Sequence, residues 1–515
     1  MTYMGRQIPK NVRAPRKLPM DQPLPSDMRP ALSHAEIRTI ILGLVLSMFL
    51  AALDQTIIAT ALPTIGRDLG DLEHLPWVVT SYLLTATAVT PLYGKFSDIH
   101  GRRVTMLIGI AVFILGSLAC ALAPSMLVLI LARGLQGLGG GGLIALAQTI
   151  VADLVAPKER GRYQVYFAGV FMTSSLAGPV LGGFIAETFH WSVIFWINLP
   201  LGLIAFAIAF QGLKRLPRHD RPHQLDILGA LLLVAATVSI MLALSWGGLR
   251  YPWRSAPIAG LVGLSAAFWG LFVARMLLAV EPLIPPGILR NPVIRMGTLA
   301  ACFGMGTYIG LTVYLPVYFE TVRGLTASQS GLALIPIGVG TVMGATLSGR
   351  SMARITHYKR LPIAGLLVAI GATALLAGFA ARLPLVAVEG LLLVLSVGLG
   401  TLLPVTTVAI QNAVPLHELG TATGTANFFR SLGGAIIVAL FGAIVIGSTG
   451  TTGATSFETL AASAARGGVD LADVFRSVFA AATCGFALAF LFMALMKEMP
   501  LRSSSRKAAE AAVAD

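Results

Sequence analysis

Apolar runs of bilayer length follow one another along nearly the whole chain, separated by short polar connectors. A helix needs about 20 apolar residues to cross ~30 Å of hydrocarbon. Lipid offers no hydrogen bonds to an exposed backbone, so such runs must close their amides within helices. Only 12% of the 515 residues are charged and 56% are hydrophobic, whereas soluble domains carry about 25% charge. The surface must therefore meet something other than water. The sequence predicts an all-α polytopic membrane protein.

Fourteen spans are expected, the first at 38–61 and the last at 472–497. Residues 1–37 are basic, polar and punctuated by prolines, and read as a disordered tail without a cleavable leader. Residues 38–213 hold six spans, 214–292 a linker with two inserted spans, 293–497 six more, and 498–515 a second tail. An even number places both termini on one side. With that side cytoplasmic, most of the 37 Lys and Arg fall on it, as the positive-inside rule requires. The net charge of +14 is then a topology signal, and no nucleic-acid partner is expected. Cys120, Cys302 and Cys484 all lie in apolar segments, so neither a disulfide framework nor a metal spacing is present.

A weak internal repeat runs through the chain. Ala156-Pro157-Lys158-Glu159-Arg160-Gly161 and Val414-Pro415-Leu416-His417-Glu418-Leu419-Gly420 both join a Gly-rich span to the next. Duplicated halves are common in transporters. The segment Gly447 to Leu471 is the longest external loop, rich in Gly, Thr and Ala, and is expected to be mobile.

Two ionisable residues interrupt the apolar spans. Asp54 lies inside the run from Ile40 to Ile65, and Arg133 inside a later one. A charge in hydrocarbon is costly unless it is paired or neutralised, so both are candidate ion or proton sites. Arg430 also falls within a span and reads as a snorkelling or inter-bundle residue. Glu320 and Glu389, near span ends, are either solvated at the headgroups or lures for a cationic substrate. After the second span comes Gly94-Lys95-Phe96-Ser97-Asp98-Ile99-His100-Gly101-Arg102-Arg103. Its glycines permit a tight reversal, and Asp98 suits the N–H groups of a helix N-terminus.

That loop resembles the signature loop of the major facilitator superfamily. Leu53-Asp54-Gln55-Thr56 through Leu62-Pro63 is similar to the first-helix motif of its fourteen-helix drug:proton antiporters, the EmrB/QacA type. Arg133-Gly134-Leu135-Gln136-Gly137 resembles the fourth-helix motif, and Gly169 with Gly178-Pro179-Val180-Leu181-Gly182-Gly183 the antiporter motif of helix five. Trp191 to Gly202, with Asn198-Leu199-Pro200, resembles the entry to helix six. The resemblance implies two six-helix bundles plus two inserted helices, with both termini cytoplasmic. It implies that Asp54 takes the proton, with Arg133 as its partner and Gln136 beside them. Asp98, Arg102 and Arg103, with Gly94 and Gly101, would latch the halves together, Asp98 reaching the helix that begins near Gly420 and Thr421. Gly178, Pro179, Gly182 and Gly183 would pack against the other half. The second-half loop Gly349 to Arg360 has no acid where Asp98 would align, so its latch is expected to be lost.

No phosphate-binding Gly-x-x-x-x-Gly-Lys-Ser/Thr loop is present, and the histidines sit in tails, loops or helix ends. Neither a nucleotidase nor an intramembrane enzyme is expected, and no cofactor beyond a proton gradient. The expected function is proton-coupled efflux of lipophilic, mainly cationic compounds by a monomer in a bacterial inner membrane. Export of an endogenous metabolite or envelope lipid on the same scaffold is the alternative.

Overall fold

The computed structural model describes residues 34–71, 74–215, 225–248, 250–355, 357–449 and 470–501. Residues 1–33 and 502–515 of the expected tails and most of the Gly447 to Leu471 loop lie outside these residues, while 34–37 of the expected first tail open the first helix. Among the described residues regular structure is helical, with no strand beyond an isolated bridge between Gly247 and Tyr251.

In chain order the helices are α1 (His34–Leu69), α2 (Trp77–His100), α3 (Arg102–Ala121), α4 (Met126–Leu154), α5 (Pro157–Thr188), α6 (Val193–Trp196) and α7 (Asn198–Gly212). After a linker come α8 (Ile227–Trp246), α9 (Ala256–Leu278) and the short α10 (Pro286–Arg290). The second half holds α11 (Pro292–Thr321), α12 (Ala327–Leu332), α13 (Ile335–Met352), α14 (Arg360–Phe379), α15 (Leu385–Gly400), α16 (Leu402–Asn412), α17 (Leu419–Thr449) and α18 (Leu471–Leu495). Among the described residues thirteen helical segments are long and apolar enough to cross a membrane. The 24-residue α2 is of similar length but less apolar, because Thr80, Ser81, Thr85, Thr87 and Thr90 dilute it. Two of those hydroxyls are absorbed by carbonyls one turn back, Thr85 on Ser81 and Thr90 on Ala86.

Three expected spans are interrupted. The sixth divides between α6 and α7, the tenth between α12 and α13, and the twelfth between α15 and α16. Pro200, Pro336 and Pro404 each lie in the first turn or so after the break. Proline cannot donate to the preceding turn, and such breaks are tolerated in membrane helices where neighbours re-satisfy the backbone.

Helices α1–α7 form one bundle and α11–α18 the other, each around its own apolar core. The inserted pair α8–α9 is tied together by Arg275 on Asp226 at 3.0 Å and by the Ser265 hydroxyl on the Ala236 carbonyl at 2.8 Å. It lies over the seam between the halves. Leu233 of α8 and Phe272 of α9 share a buried cluster with Leu84 of α2 and with Phe428 and Leu432 of α17. The outer side of α9 leaves Leu264, Leu271, Val273 and Leu277 exposed, the face an apolar bilayer would cover.

The halves approach most closely through glycine. A Cβ on Gly94 of α2 would strike the backbone of Gly420, and one on Gly349 of α13 would strike the carbonyl of Gly161 on α5. Small residues of this kind let membrane helices pack backbone to backbone. The α5–α13 contact continues to Met172 and Gly338. Beyond it Leu176, Val180 and Phe184 of α5 are exposed. Close packing between halves is thus concentrated at the end that carries the basic connectors.

Gly349→Leu is therefore expected to force the basic ends of α5 and α13 apart. Spin labels on those ends should read a separation several Å longer than in the parent protein. Gly169→Ala and Gly183→Ala, whose added methyls meet nothing within 4 Å, should leave the distance unchanged.

Candidate functional site

Arg133 and Gln136 stand three apart on α4 and so share one face of the helix. Their approach to α3 depends on a missing side chain, because a Cβ at Gly116 would run into Gln136. On the facing side of α1, Asp54 is 1% exposed, while Arg133 and Gln136 are fully buried. Arg133 bonds one Asp54 oxygen at 2.5 Å, and also donates to the Gln136 carbonyl oxygen at 2.6 Å and to the Val78 carbonyl at 3.0 Å. The other Asp54 oxygen accepts from the Gln136 amide at 2.8 Å and from Asn198 of α7 at 3.0 Å. The same Gln136 amide donates to Ser117 of α3 at 2.7 Å. The Arg133 guanidinium also lies 4.4 Å from the centre of the Tyr82 ring.

A buried ion pair repays its desolvation only when the remaining lone pairs and protons are also bonded. Here both carboxylate oxygens accept hydrogen bonds. The site is a closed polar knot that five helices of one bundle tie together.

A second charged cluster crosses between bundles. Asp98 accepts from the backbone N–H groups of Gly420 at 3.0 Å and Thr421 at 2.7 Å, and from the Thr421 hydroxyl at 2.7 Å. These are the free N–H groups at the start of α17, where the helix dipole favours an anion. Arg102 pairs with Asp98 across one turn and with Asp153 of α4 at 2.7 Å. It also reaches the Leu416 carbonyl at 3.4 Å. Gly101 takes φ +88° between α2 and α3, a conformation glycine adopts freely. Deeper along the same seam, Gln148 of α4 accepts from Asn427 of α17 at 2.9 Å, and Gln411 of α16 donates to the Gln148 carbonyl at 3.2 Å.

Several expected residues lie elsewhere. Arg103 does not cross between the halves; it bonds the Phe210 carbonyl at 3.3 Å and covers the Phe210 ring within its own bundle. It starts α3 one residue beyond Arg102, and that step of about 100° turns it away from the seam. Gly178 and Gly182 pack on Thr56, Ile57 and Thr60 of α1, a partner in the same half. Pro179 is exposed on another side of α5, and a Cβ on Gly183 would meet nothing within 4 Å. Glu320 ends α11 and Glu389 begins α15, both half-buried, and neither joins the Asp54 knot. Arg430 sits midway along α17. In the second-half loop the missing acid comes from the chain end, since Glu498 accepts from the Lys359 backbone at 3.0 Å and pairs with His357 at 3.1 Å.

Asn198, Ser117, Asp153, Gln148 and Asn427 belong to these clusters without having been singled out as sites. Asp153 was the legible one, an acid at the basic end of a long apolar span. The others are neutral polar residues whose partners come from distant helices.

A family model described as Major Facilitator Superfamily matches residues 44–438. The chain belongs to that family. Its members are transporters rather than enzymes. The chain is 33% identical over 411 residues to the multidrug transporter protein MdtP of Bacillus subtilis, covering 80% of this chain and 76% of the relative. It is equally identical over 411 residues to multidrug resistance protein 3 of the same organism, covering 80% of each. Multidrug resistance protein fnx1 of Schizosaccharomyces pombe is 33% identical over 412 residues, 78% of this chain and 77% of the relative. Among solved structures, a double Trp mutant of XylE superposes with a TM-score of 0.64 at 17% identity, covering 92% of this chain and 99% of that one. That likeness is one of fold.

Asn198→Leu should remove one donor from Asp54 without touching the ion pair. A buried hydrogen bond lost from a charged group costs about 1.5–3 kcal/mol. A lower denaturation midpoint together with slower transport is expected. An unchanged midpoint would show that Asn198 does not support the carboxylate.

Proposed function

We propose that this protein is a proton-coupled multidrug efflux antiporter of the fourteen-helix EmrB/QacA type, working in a bacterial inner membrane. The family and the relatives support efflux of small molecules; coupling, direction and cargo are inferred from the site. One observation carries the reading: an ionisable acid is locked to a permanent cation in the apolar centre of one bundle, while a separate charged latch joins the bundles at one end. The basic connectors make the latched end cytoplasmic, and both termini then face the cytoplasm.

Alternating access in such folds is rocking of one bundle against the other around a central site. The closed latch and the exposed outer half of α5 fit the outward-facing half of that cycle. An external proton reaching Asp54 would neutralise it, release Arg133 and Gln136, and let α1 shift against α4. The bundles would then re-orient, and loss of the proton to the cytoplasm would restore the pair. Energy enters as the difference in proton activity between the two sides, with no nucleotide involved. Lipophilic compounds, cations among them, would enter from the cytosol or inner leaflet and bind in the apolar cleft. Glu320 and Glu389 would act toward the outer side, where both lie near helix ends.

Cells expressing the protein should extrude ethidium, and a protonophore should abolish the extrusion. In proteoliposomes Asp54→Asn should remove substrate-induced proton movement while substrate binding persists. Full coupling in that variant would exclude Asp54 from the mechanism.

A further inference from the structure

Arg430 has no place in the proton mechanism and, among the described residues, no hydrogen-bond or ion-pair partner. It lies near the middle of α17 and is half-buried. Such a side chain faces either lipid or an interior space. Its direction follows from its neighbours on the same helical stripe. Thr423 accepts from Gln411 of α16, Asn427 donates to Gln148 of α4, and a Cβ at Gly434 would meet Ile309 of α11 at 3.1 Å. Residues spaced by three and four share one helix face, so Arg430 faces the space between α4, α11 and α16. The seam with the inserted helices lies on another side, through Phe428.

No acid on these helices answers the charge. Among the described residues α16 and α17 contain none, Asp153 of α4 is taken by Arg102, and Glu320 stands at the far end of α11. One turn along α17, Asn427 leads to a further unmet group, on α4. The Asn427 amide is oriented by donating to the Thr423 carbonyl at 2.9 Å as well as to Gln148. Gln148 must therefore present its oxygen to Asn427, which leaves its Nε2 without a partner although the residue is 1% exposed. The Asn427 Oδ1 is unpartnered as well. A free guanidinium on α17 and a buried, unpartnered amide N–H pair on α4, at the seam between the bundles, offer donors and no negative charge.

We infer that Arg430 and Gln148 form a recognition site for an anionic group on the cargo, so that the transported class includes lipophilic carboxylates and zwitterions as well as cations. The guanidinium presents two parallel N–H donors that match a carboxylate bidentately, and the Gln148 amide adds a third. This rests on the efflux reading, since it names the chemistry of cargo in the same cleft. It differs from the proton site in both bundle and sign of charge. Asp54 and Arg133 are satisfied by each other, whereas Arg430 is satisfied only when cargo arrives.

The test is equilibrium binding of dansylglycine, its neutral methyl ester and ethidium to the purified full-length chain. The parent protein should bind the acid more tightly than the ester. Arg430→Gln should weaken the acid by about tenfold, equivalent to ~1.4 kcal/mol, and leave ester and ethidium within about twofold. Arg430→Lys should fall between, having charge without the fork, and Gln148→Leu should weaken the acid alone. No preference for acid over ester, or equal losses for all three probes in Arg430→Gln, would overturn the inference. Protonophore-sensitive ethidium efflux without acid preference would sink this inference and spare the efflux reading. Arg430-dependent acid binding without proton-driven efflux of any probe would do the reverse.

Discussion

Placing a carboxylate and a guanidinium inside hydrocarbon is the constraint around which the first bundle is arranged. Either charge alone would be expelled or neutralised, and together they remain costly unless every polar atom is met. The helices respond as a group. α4 supplies Arg133 and Gln136, α1 supplies Asp54, α3 supplies Ser117 and α7 supplies Asn198. The break before Asn198 leaves that side chain at the head of α7, where it reaches the carboxylate. The knot also explains the glycines of α4. A Cβ at Gly139 would strike Phe113 of α3, and one at Gly141 would strike Ala86 of α2, so removing either glycine would lift α4 off its neighbours and loosen the pair.

The latch solves a different problem with the same materials. The two bundles must hold together at one end and yet let go, so the contact is made of a few charge-assisted bonds over a glycine seam rather than a broad apolar core. Asp98 binds backbone N–H groups of α17, and a Cβ at Gly420 would strike Asp98 and Gly94, so the contact needs that glycine as well. Arg102 holds Asp98 from behind and is itself held by Asp153. The larger apolar cores stay within each half, and only smaller apolar clusters cross between them.

Much of the fold could be read from the chain because lipid imposes simple rules. Span length, the bias of Lys and Arg and the Gly-rich connectors led to two helical halves with an inserted pair. Asp54, Arg133 and Asp98 were legible for the same reason, since a charge in or beside an apolar run is conspicuous. What stayed hidden were neutral partners such as Asn198 and Gln148, whose role depends on which distant helix arrives opposite. The placement of Gly178 and Gly182 against α1 was hidden too, because a small-residue stripe announces close packing without saying with what. Arg103 shows the limit at single-residue scale. Adjacent arginines in one loop look alike in sequence, yet one helical step sends Arg102 to the seam and Arg103 to Phe210.

The two bundles thus differ in how they treat charge. The first contains a balanced pair whose change of state needs a proton, while the second exposes an unbalanced cation toward the cleft. A transporter that must couple two events gains from this separation. If cargo bound directly to Asp54, proton and cargo would compete for one carboxylate, and any anionic cargo would be repelled by it. With the cation on α17 and the acid on α1, the proposed cargo charge and proton charge would act on different halves of the molecule. Coupling then runs through the relative position of the bundles. The Gln148–Asn427 bond is suited to report that position, because it joins α4, which carries Arg133, to α17, which carries Arg430. If the bundles part at the latched end as proposed, this bond would break, and its amide groups would become free to meet cargo as the cleft opens.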